Sequence, residues 1–274
     1  MKVGYITCIK DEEVLIYAHL AYYYNIGVRD FYIMFNNSAD GTEKEVDRFE
    51  QQANVHITRY YDSDIAYRQP ERFTMMSDKA YNDGCTWILP VDADEIIKIP
   101  EGKTIQDCLR PHDRHEYGHI RLDWIDYHPG GGYTWLNQQK GSYFTAWTVR
   151  ESKPRPQGKL IIKWSPGMRY GDGHHILTAK RKHICDAKIM FMAHFPARSL
   201  EQLYQKKINI GKAFIAYFGE GSTRPQVLEY YKILKEGRGY VENQWAKICE
   251  HRTNNKFIYD PIDPELFSLD KHNN

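Results

Sequence analysis

Apolar runs at Val3 to Ile9, Phe31 to Phe35, Val55 to Tyr60 and Trp87 to Val91 alternate with segments patterned as helices, and this alternation constrains the chain more than any other feature. The order β-α-β-α-β-α-β predicts a parallel sheet covered by helices. The first helix is expected to be capped by Asp11, to place Val14, Leu15, Ala18, Ala21 and Tyr22 at helical spacing, and to end at Gly27. A polar helix from Glu43 to Gln52 follows the turn formers Asn36-Asn-Ser-Ala-Asp-Gly-Thr42, and another runs from about Pro70 to about Asn82. Sheets of this kind bind ligands beyond the carboxyl ends of their strands. The turns Thr7 to Glu12, Asn36 to Thr42 and Asp92 to Glu95 all fall on that edge.

The last of these turns carries the chemistry. Trp87-Ile-Leu-Pro-Val-Asp-Ala-Asp-Glu95 sends an apolar strand straight into three acids. Asp92 and Asp94 are two apart and share one face of an extended segment, with Glu95 turned the other way. Hard oxygen ligands on one side suit Mg²⁺ or Mn²⁺, which take one or two carboxylates and complete their shell with water and a diphosphate. Such a site would serve a nucleotide. An acidic turn after a strand is as often a solvated loop, so context decides.

Composition narrows the partners. Lys plus Arg number 37 against 36 Asp plus Glu, so no global field draws the chain to nucleic acid or an anionic membrane. Hydrophobic residues make up 42% of the 274, enough for a sizeable core. The five cysteines, Cys8, Cys85, Cys108, Cys185 and Cys249, are scattered without a Cys-x-x-Cys pair, which argues for reduced thiols in a cytosol. The apolar run before Lys10-Asp-Glu12 is too short for a secretory signal, and no stretch reaches the roughly 18 apolar residues of a membrane span, so a cytoplasmic protein is expected. The 21 tyrosines and 6 tryptophans suit sugar stacking and equally suit a packed core.

The second half of the chain changes character. Strands are predicted at His119 to Tyr127, Lys159 to Trp164 and Lys188 to His194, separated by Gly- and Pro-rich connections. Gly130-Gly-Gly132 and Lys153 to Gly158 are the loosest of these, and either could be a mobile loop over the site. Ser199-Leu-Glu-Gln202 is a capping-box pattern for a helix to about Phe218, with Leu200, Leu203, Tyr204, Ile208 and Phe214 inward. A last helix follows Pro225 and stops near Gly237.

With these segments in place, the chain resembles glycosyltransferases of the GT-A fold, of the family 2 type related to family 92. The resemblance lies in Thr7-Cys-Ile-Lys-Asp-Glu12, Tyr32 to Thr42 and Trp87 to Glu95, with weaker matches at Lys159-Leu-Ile-Ile-Lys163 before His174-His175 and at His194-Phe-Pro-Ala-Arg-Ser199 before the helix containing Lys206. It implies an α/β GT-A fold: a Rossmann-like, mostly parallel sheet with flanking helices and C-terminal helices. Residues 1–100 would form the nucleotide-sugar-binding half. Residues 101–198 would bind the acceptor and complete the metal site, and 199–274 would be a helical extension. The implied activity is transfer of a sugar, usually with inversion, from a nucleotide-sugar donor to an acceptor hydroxyl with Mn²⁺ or Mg²⁺. A uridine diphosphate donor and a cell-surface glycan, lipopolysaccharide-type saccharide or glycolipid acceptor are favoured by resemblance alone.

By the same resemblance Thr7, Lys10 and Glu12 border the nucleotide, and Asn36 and Asp40 flank the base and ribose. Asp92 contacts ribose or a metal-bound water, and Asp94 is the direct metal ligand. A later histidine commonly completes coordination, and His175 and His194 rank above His174. Similar proteins usually follow the acidic turn with an aromatic and a Trp-x-x-Phe-Gly segment, whereas this chain has Ile96-Ile97 and Arg121 to Pro129. Acceptor identity therefore transfers least.

The chemistry adds its own candidates. A leaving diphosphate needs cations, for which Lys79, Arg72, Lys159 and Lys163 are available. An inverting displacement needs a carboxylate base, and Asp123 and Asp126 lie on opposite faces of one strand, so one of them can enter the cleft. Trp135, Tyr143 and Trp147 could line an acceptor groove or simply pack in the core. A zinc site at His112, His115 and His119 is disfavoured by the intervening Pro111 and Gly118. Lys206, Lys207 and Lys212 beside Phe214 and Tyr217 offer a peripheral contact to the inner face of a membrane, although such helices are more commonly packed surface helices. Two other readings compete: a noncatalytic sugar- or nucleotide-binding protein, and a Mg-dependent phosphohydrolase, whose acidic pair normally ends the first strand.

Overall fold

The computed structural model describes residues 1–113, 117–129, 142–171, 177–178, 183–254 and 256–269. β1 (Val3–Ile9) is buried at all but Cys8, and a strand apolar on both faces belongs in the middle of a covered sheet. It pairs in parallel with β2 (Asp30–Phe35) and β4 (Trp87–Pro90), while β3 (His56–Tyr61) adds in parallel beyond β2 as a half-exposed edge. The connecting helices are α1 (Ile16–Asn25), α2 (Thr42–Gln52) and α3 (Gln69–Asn82).

Alternation along the strands fills two cores. Val3, Tyr5 and Ile9 of β1, with Phe31, Ile33 and Phe35 of β2, pack on the α1 and α2 side. Ile6, Tyr32 and Met34 pack against Phe73, Met76 and Ala80 of α3 on the other.

Beyond β4 the sheet turns antiparallel. β8 (Lys159–Lys163) pairs with β4, and β6 (Tyr117–His128) with β8. β11 (His183–His194) runs parallel to β6 and antiparallel to β5 (Glu95–Lys98), bringing the sheet to ten strands with β7 (Val149–Arg150) and β12 (Ile258–Tyr259) at its far end. β9 (Arg169–Tyr170) and β10 (Leu177–Thr178) form a separate pair. Short helices α4 (Ile105–Leu109) and α5 (Ser142–Ala146) fill the connections, and α6 (Leu200–Phe218), α7 (Pro225–Glu236) and α8 (Arg238–Asn254) pack together around Leu203, Ile233 and Val241. Among the described residues, no helix is long and apolar enough to cross a membrane.

Two expectations about elements need correction. Asp11 does not cap the first helix: its φ is 54°, its carboxylate accepts the Ala39 amide at 2.7 Å, and the helix starts only at Ile16. Gly237 ends α7 but not the helical region, because α8 begins at the next residue. Glu95-Ile-Ile-Lys98, to which the sequence assigned no element, is strand β5. The capping-box pattern at Ser199 is half realised: the Ser199 hydroxyl accepts the Gln202 amide at 3.1 Å, but the Gln202 side chain takes the amide of Arg198 instead.

Candidate active site

Two of the three polar turns lock together at the carboxyl edge of the parallel strands. The Glu12 amide donates to the Thr42 hydroxyl at 2.8 Å, Glu13 N–H to Asp40 at 3.1 Å, and the Gly41 amide to Glu13 at 3.1 Å. Asp40 also accepts the Thr42 amide and hydroxyl, so its carboxylate holds the start of α2. Asn36 donates to the carbonyls of Asp62 and Asp64, tying the β2 turn to the segment after β3. Arg72 ties down the same segment through Asp62. The residues expected around the nucleotide thus form a rigid rim, with Thr7 buried beneath it on β1 and Lys10 in the turn.

The acidic turn lies between β4 and β5, and sheet register brings its partners alongside. His194, the last residue of β11, stands opposite Glu95 on one side and Asp126 of β6 on the other. His194 Nδ1 is 2.7 Å from Asp126 Oδ1, and its Nε2 is 3.8 Å from Asp94 Oδ2. An ionised carboxylate only accepts, so Nδ1 carries a proton on the Asp126 side, and Nε2 is the ring atom turned toward Asp94. The Trp124 ring packs against His194 with centroids 4.8 Å apart, and Arg155 lies over the same indole while binding Asp126 at 2.7 Å. Arg155 belongs to the segment expected to be a mobile loop; its amide also bonds the Trp124 carbonyl at 2.7 Å, which pins that segment to β6.

Every acid of the turn meets a cation. Lys159 Nζ is 2.8 Å from Glu95 Oε1 and 3.4 Å from Asp92 Oδ2, with Gln69 donating to the other oxygen of Asp92 at 3.0 Å. Lys206 Nζ is 2.8 Å from Asp94 Oδ2, and Arg198 Nη2 is 2.9 Å from Glu12 Oε2. Burial pushes the Asp94 carboxyl up, but Lys206, then His194 and Arg198, outweigh it and hold the group far below the usual range. Burial acts on Asp126 likewise and is overcome by His194 and Arg155, leaving it lowered. For Glu12, burial wins over Arg198 and its carboxyl is raised. Lys159 and Lys206, which burial alone would lower, are raised by the carboxylates they face.

The expected residues therefore separate into groups. Glu12, Asp92, Asp94, Asp126 and His194 converge. Asp123 is exposed on the opposite face of β6. Lys79 is not at the site: it lies in the last turn of α3 and pairs with Asp83, whose carbonyl accepts Lys2 near the start of β1, on the far edge of the sheet. Lys163 is likewise remote, paired with Asp113 beside Trp87 at the beginning of β4, because a strand's length separates it from Lys159. His175, with His174, Trp135 and Gly130 to Gly132, lies outside the described residues. Tyr143 and Trp147 are buried in the core rather than lining a groove. The sequence reading missed Arg198 and Lys206 as site cations and Arg155 as a partner of Asp126; the only signal for the first two was their place in the His194 to Lys206 stretch.

The donor set at Asp94 and His194 fits a divalent cation: one carboxylate oxygen, one imidazole nitrogen facing it, and a second carboxylate orienting the ring, as metal-bound histidines require. A second group, His128, Glu151 and His251, places one ligand atom of each residue within 4.8 Å of the others. There Arg252 Nε donates to His128 Nδ1 at 3.1 Å, which leaves the proton on Nε2, facing Glu151 at 3.0 Å. That hydrogen-bond pattern opposes a metal on His128 Nε2, so this group reads as a polar clasp between α8 and the sheet.

The model of glycosyltransferase family 92 matches residues 6–257. The chain belongs to that family. A family 92 protein of Oryza sativa subsp. japonica is 26% identical over 156 residues, which are 57% of this chain and 26% of that relative, so the match spans about a quarter of the relative's length. Among solved structures, a mannosyltransferase from Pyrobaculum calidifontis in complex with GDP-Man and Mn²⁺ is 11% identical, with 93% of this chain and 76% of that one covered at a TM-score of 0.46. S. aureus TarS 1–349 in complex with UDP is 12% identical, with 87% and 73% covered at 0.45. Both scores are low, and the family 92 assignment rests on the sequence match. The α/β arrangement of this family 92 chain, a mostly parallel sheet with flanking helices, is the GT-A fold expected from its sequence.

Proposed function

We propose that this family 92 chain is an inverting, metal-dependent glycosyltransferase that moves a sugar from a nucleotide-sugar donor, a uridine diphosphate sugar by preference, to a saccharide hydroxyl. The observation that carries the reading is the meeting of Asp94 and His194 Nε2 at the carboxyl edge of the sheet, with Asp126 holding the ring. Asp94 and His194 would hold Mn²⁺ or Mg²⁺, which supplies Lewis-acid stabilisation of the leaving diphosphate when bound. The rim of Thr7, Lys10, Glu12, Asn36 and Asp40 would receive the nucleoside, and Asp92 the ribose. In the transfer, the bond from the anomeric carbon to the diphosphate breaks with its electron pair going to the phosphate oxygen. The acceptor oxygen bonds to that carbon from the opposite face, and its proton passes to a base. Asp126, held by Arg155 and His194, is better suited to positioning His194 than to taking that proton, since its carboxyl is lowered.

The acceptor is proposed to be a cell-envelope glycan or glycolipid. The division into a nucleotide-binding half at 1–100, an acceptor half at 101–198 and a helical extension at 199–274 is part of the same proposal. A phosphohydrolase reading gains nothing from the geometry: Asp92, its would-be nucleophile, is engaged by Gln69 and Lys159 and follows the fourth strand rather than the first.

The test is release of nucleoside diphosphate from uridine, guanosine and cytidine sugar donors, with and without Mn²⁺, by wild type and Asp94→Ala. Metal-dependent release of one diphosphate, lost in the variant, is the expected outcome. Absence of both release and metal-dependent nucleotide binding would sink the reading in favour of a noncatalytic protein.

A further inference from the structure

Asp94, the carboxylate best placed to hold a cation, already holds one. Lys206 Nζ lies 2.8 Å from Asp94 Oδ2, the same oxygen that faces His194 Nε2. Lys206 sits two turns into α6 and its side chain is 39% exposed, so it has room to swing away without unpacking the helix. Asp94 itself is 5% exposed and has no such freedom.

The charge around it is nearly balanced. Glu12, Asp92, Asp94, Glu95 and Asp126 face Lys159, Arg198, Lys206 and Arg155, five carboxylates against four cations. A bare divalent cation would have to displace Lys206 and strip its ammonium of the carboxylate it now faces. A cation arriving with a diphosphate brings its own compensation and gives the displaced ammonium a new partner.

A second observation points to an anion in the same place. Arg198 is 5% exposed, its Nη2 is bound to Glu12, and its Nη1 is buried with no hydrogen-bond partner among the described residues. The other nitrogen of the same guanidinium is on Glu12, which puts the orphan N–H at the edge of this cluster. Buried guanidinium donors are rarely left unmatched, and a phosphate oxygen is the acceptor their geometry suits.

We propose that Lys206 is an internal stand-in for the metal: it occupies Asp94 in the free protein and yields it only when metal and a nucleoside diphosphate group enter together. Lys206 and Arg198 then bind the diphosphate. This rests on the functional reading above and deepens it, since it makes metal and donor binding mutually dependent and assigns α6 the leaving-group face of the site.

The experiment is calorimetry on wild type and Lys206→Met, first with Mn²⁺ alone, then with uridine diphosphate in saturating Mn²⁺, and with guanosine diphosphate as a second probe. Wild type is expected to bind Mn²⁺ alone weakly. Lys206→Met should bind Mn²⁺ alone on the order of tenfold more tightly, having lost the competitor, and the diphosphate on the order of tenfold more weakly, having lost a charge-assisted hydrogen bond. The gain in Mn²⁺ affinity should vanish when Asp94→Asn is added, which separates exchange at Asp94 from a general change in charge. Unchanged or weaker Mn²⁺ binding by Lys206→Met, while wild type still binds metal and diphosphate, overturns the exchange and leaves the glycosyltransferase reading standing. Absence of metal-dependent diphosphate binding in wild type removes both.

Discussion

The Asp126 carboxylate accepts hydrogen bonds from Arg155 and His194 at once, and these neighbours decide its work. A carboxylate lowered by two donors is a poor proton acceptor but a good clamp. We therefore expect Asp126→Asn to lower Mn²⁺ affinity about ten- to a hundredfold, the range seen when a group that orients a metal-bound histidine is lost, and to lower turnover with it. Metal-dependent diphosphate binding at wild-type strength with turnover abolished would instead make Asp126 the base. Asp123→Asn, on the exposed face of β6, should leave both measurements unchanged. The sequence showed that Asp123 and Asp126 point to opposite faces. It could not show which face is the cleft, because that depends on β11 pairing with β6 in the register that sets His194 beside Asp126.

At the level of elements, the alternating apolar runs made β1 to β4, α2 and α3 legible to within a residue or two, because each is long enough to show its period, while α1 was legible except for its start, about four residues later than an Asp11 cap implies. β5, β7, β9, β10 and β12 are two to four residues long and show none. α8 was hidden by Gly237, whose φ of 70° ends α7 without preventing a new helix at Arg238. Lys206 was legible as a helical residue but not as a ligand of Asp94, since 112 residues separate the two and only tertiary packing brings them together.

That packing depends on a close approach of α6 to α7 at Gly211, where an added Cβ would fall 2.4 Å from Tyr230 Cβ. Alanine normally stabilises a helix by about 1 kcal/mol over glycine. Here the overlap should outweigh it, and Gly211→Ala is expected to destabilise the helical region by about 1–3 kcal/mol. A denaturant midpoint at or above that of wild type would contradict the tight α6–α7 contact.

For the molecule as a whole, buried histidines set the acid limit. His19 is fully buried between Tyr5 and the Glu95 carbonyl, and burial pulls it down to about 4; burial does the same to His128. Unfolded histidine titrates near 6.5, so between these values the unfolded chain binds more protons than the folded one. Stability is complete above about pH 6.5 and falls as pH drops toward 4, each pH unit in that window contributing about 1.4 kcal/mol per buried histidine at most. Glu12, whose carboxyl is raised, works in the opposite direction, but it is one group against two. Denaturant midpoints measured from pH 7 to pH 5 should therefore fall, and should fall less in His19→Leu. A flat profile in wild type would show that the rings accept protons in place.

The position of His194 between Glu95 and Asp126 also bears on how the chain reaches its native state. His194 and Asp126 are 68 residues apart, and β11 must find both β5 and β6 before either neighbour of the ring is in register. Pairings between distant segments close the largest loops and tend to form slowly, whereas the β1–α1–β2 unit can assemble from its neighbours. In refolding from denaturant, Mn²⁺ binding should consequently return with the slowest spectroscopic phase, after most of the helical signal. The chain would acquire its architecture first and its metal affinity last, so a partly folded molecule emerging from synthesis would be kept from sequestering ions before its site is complete.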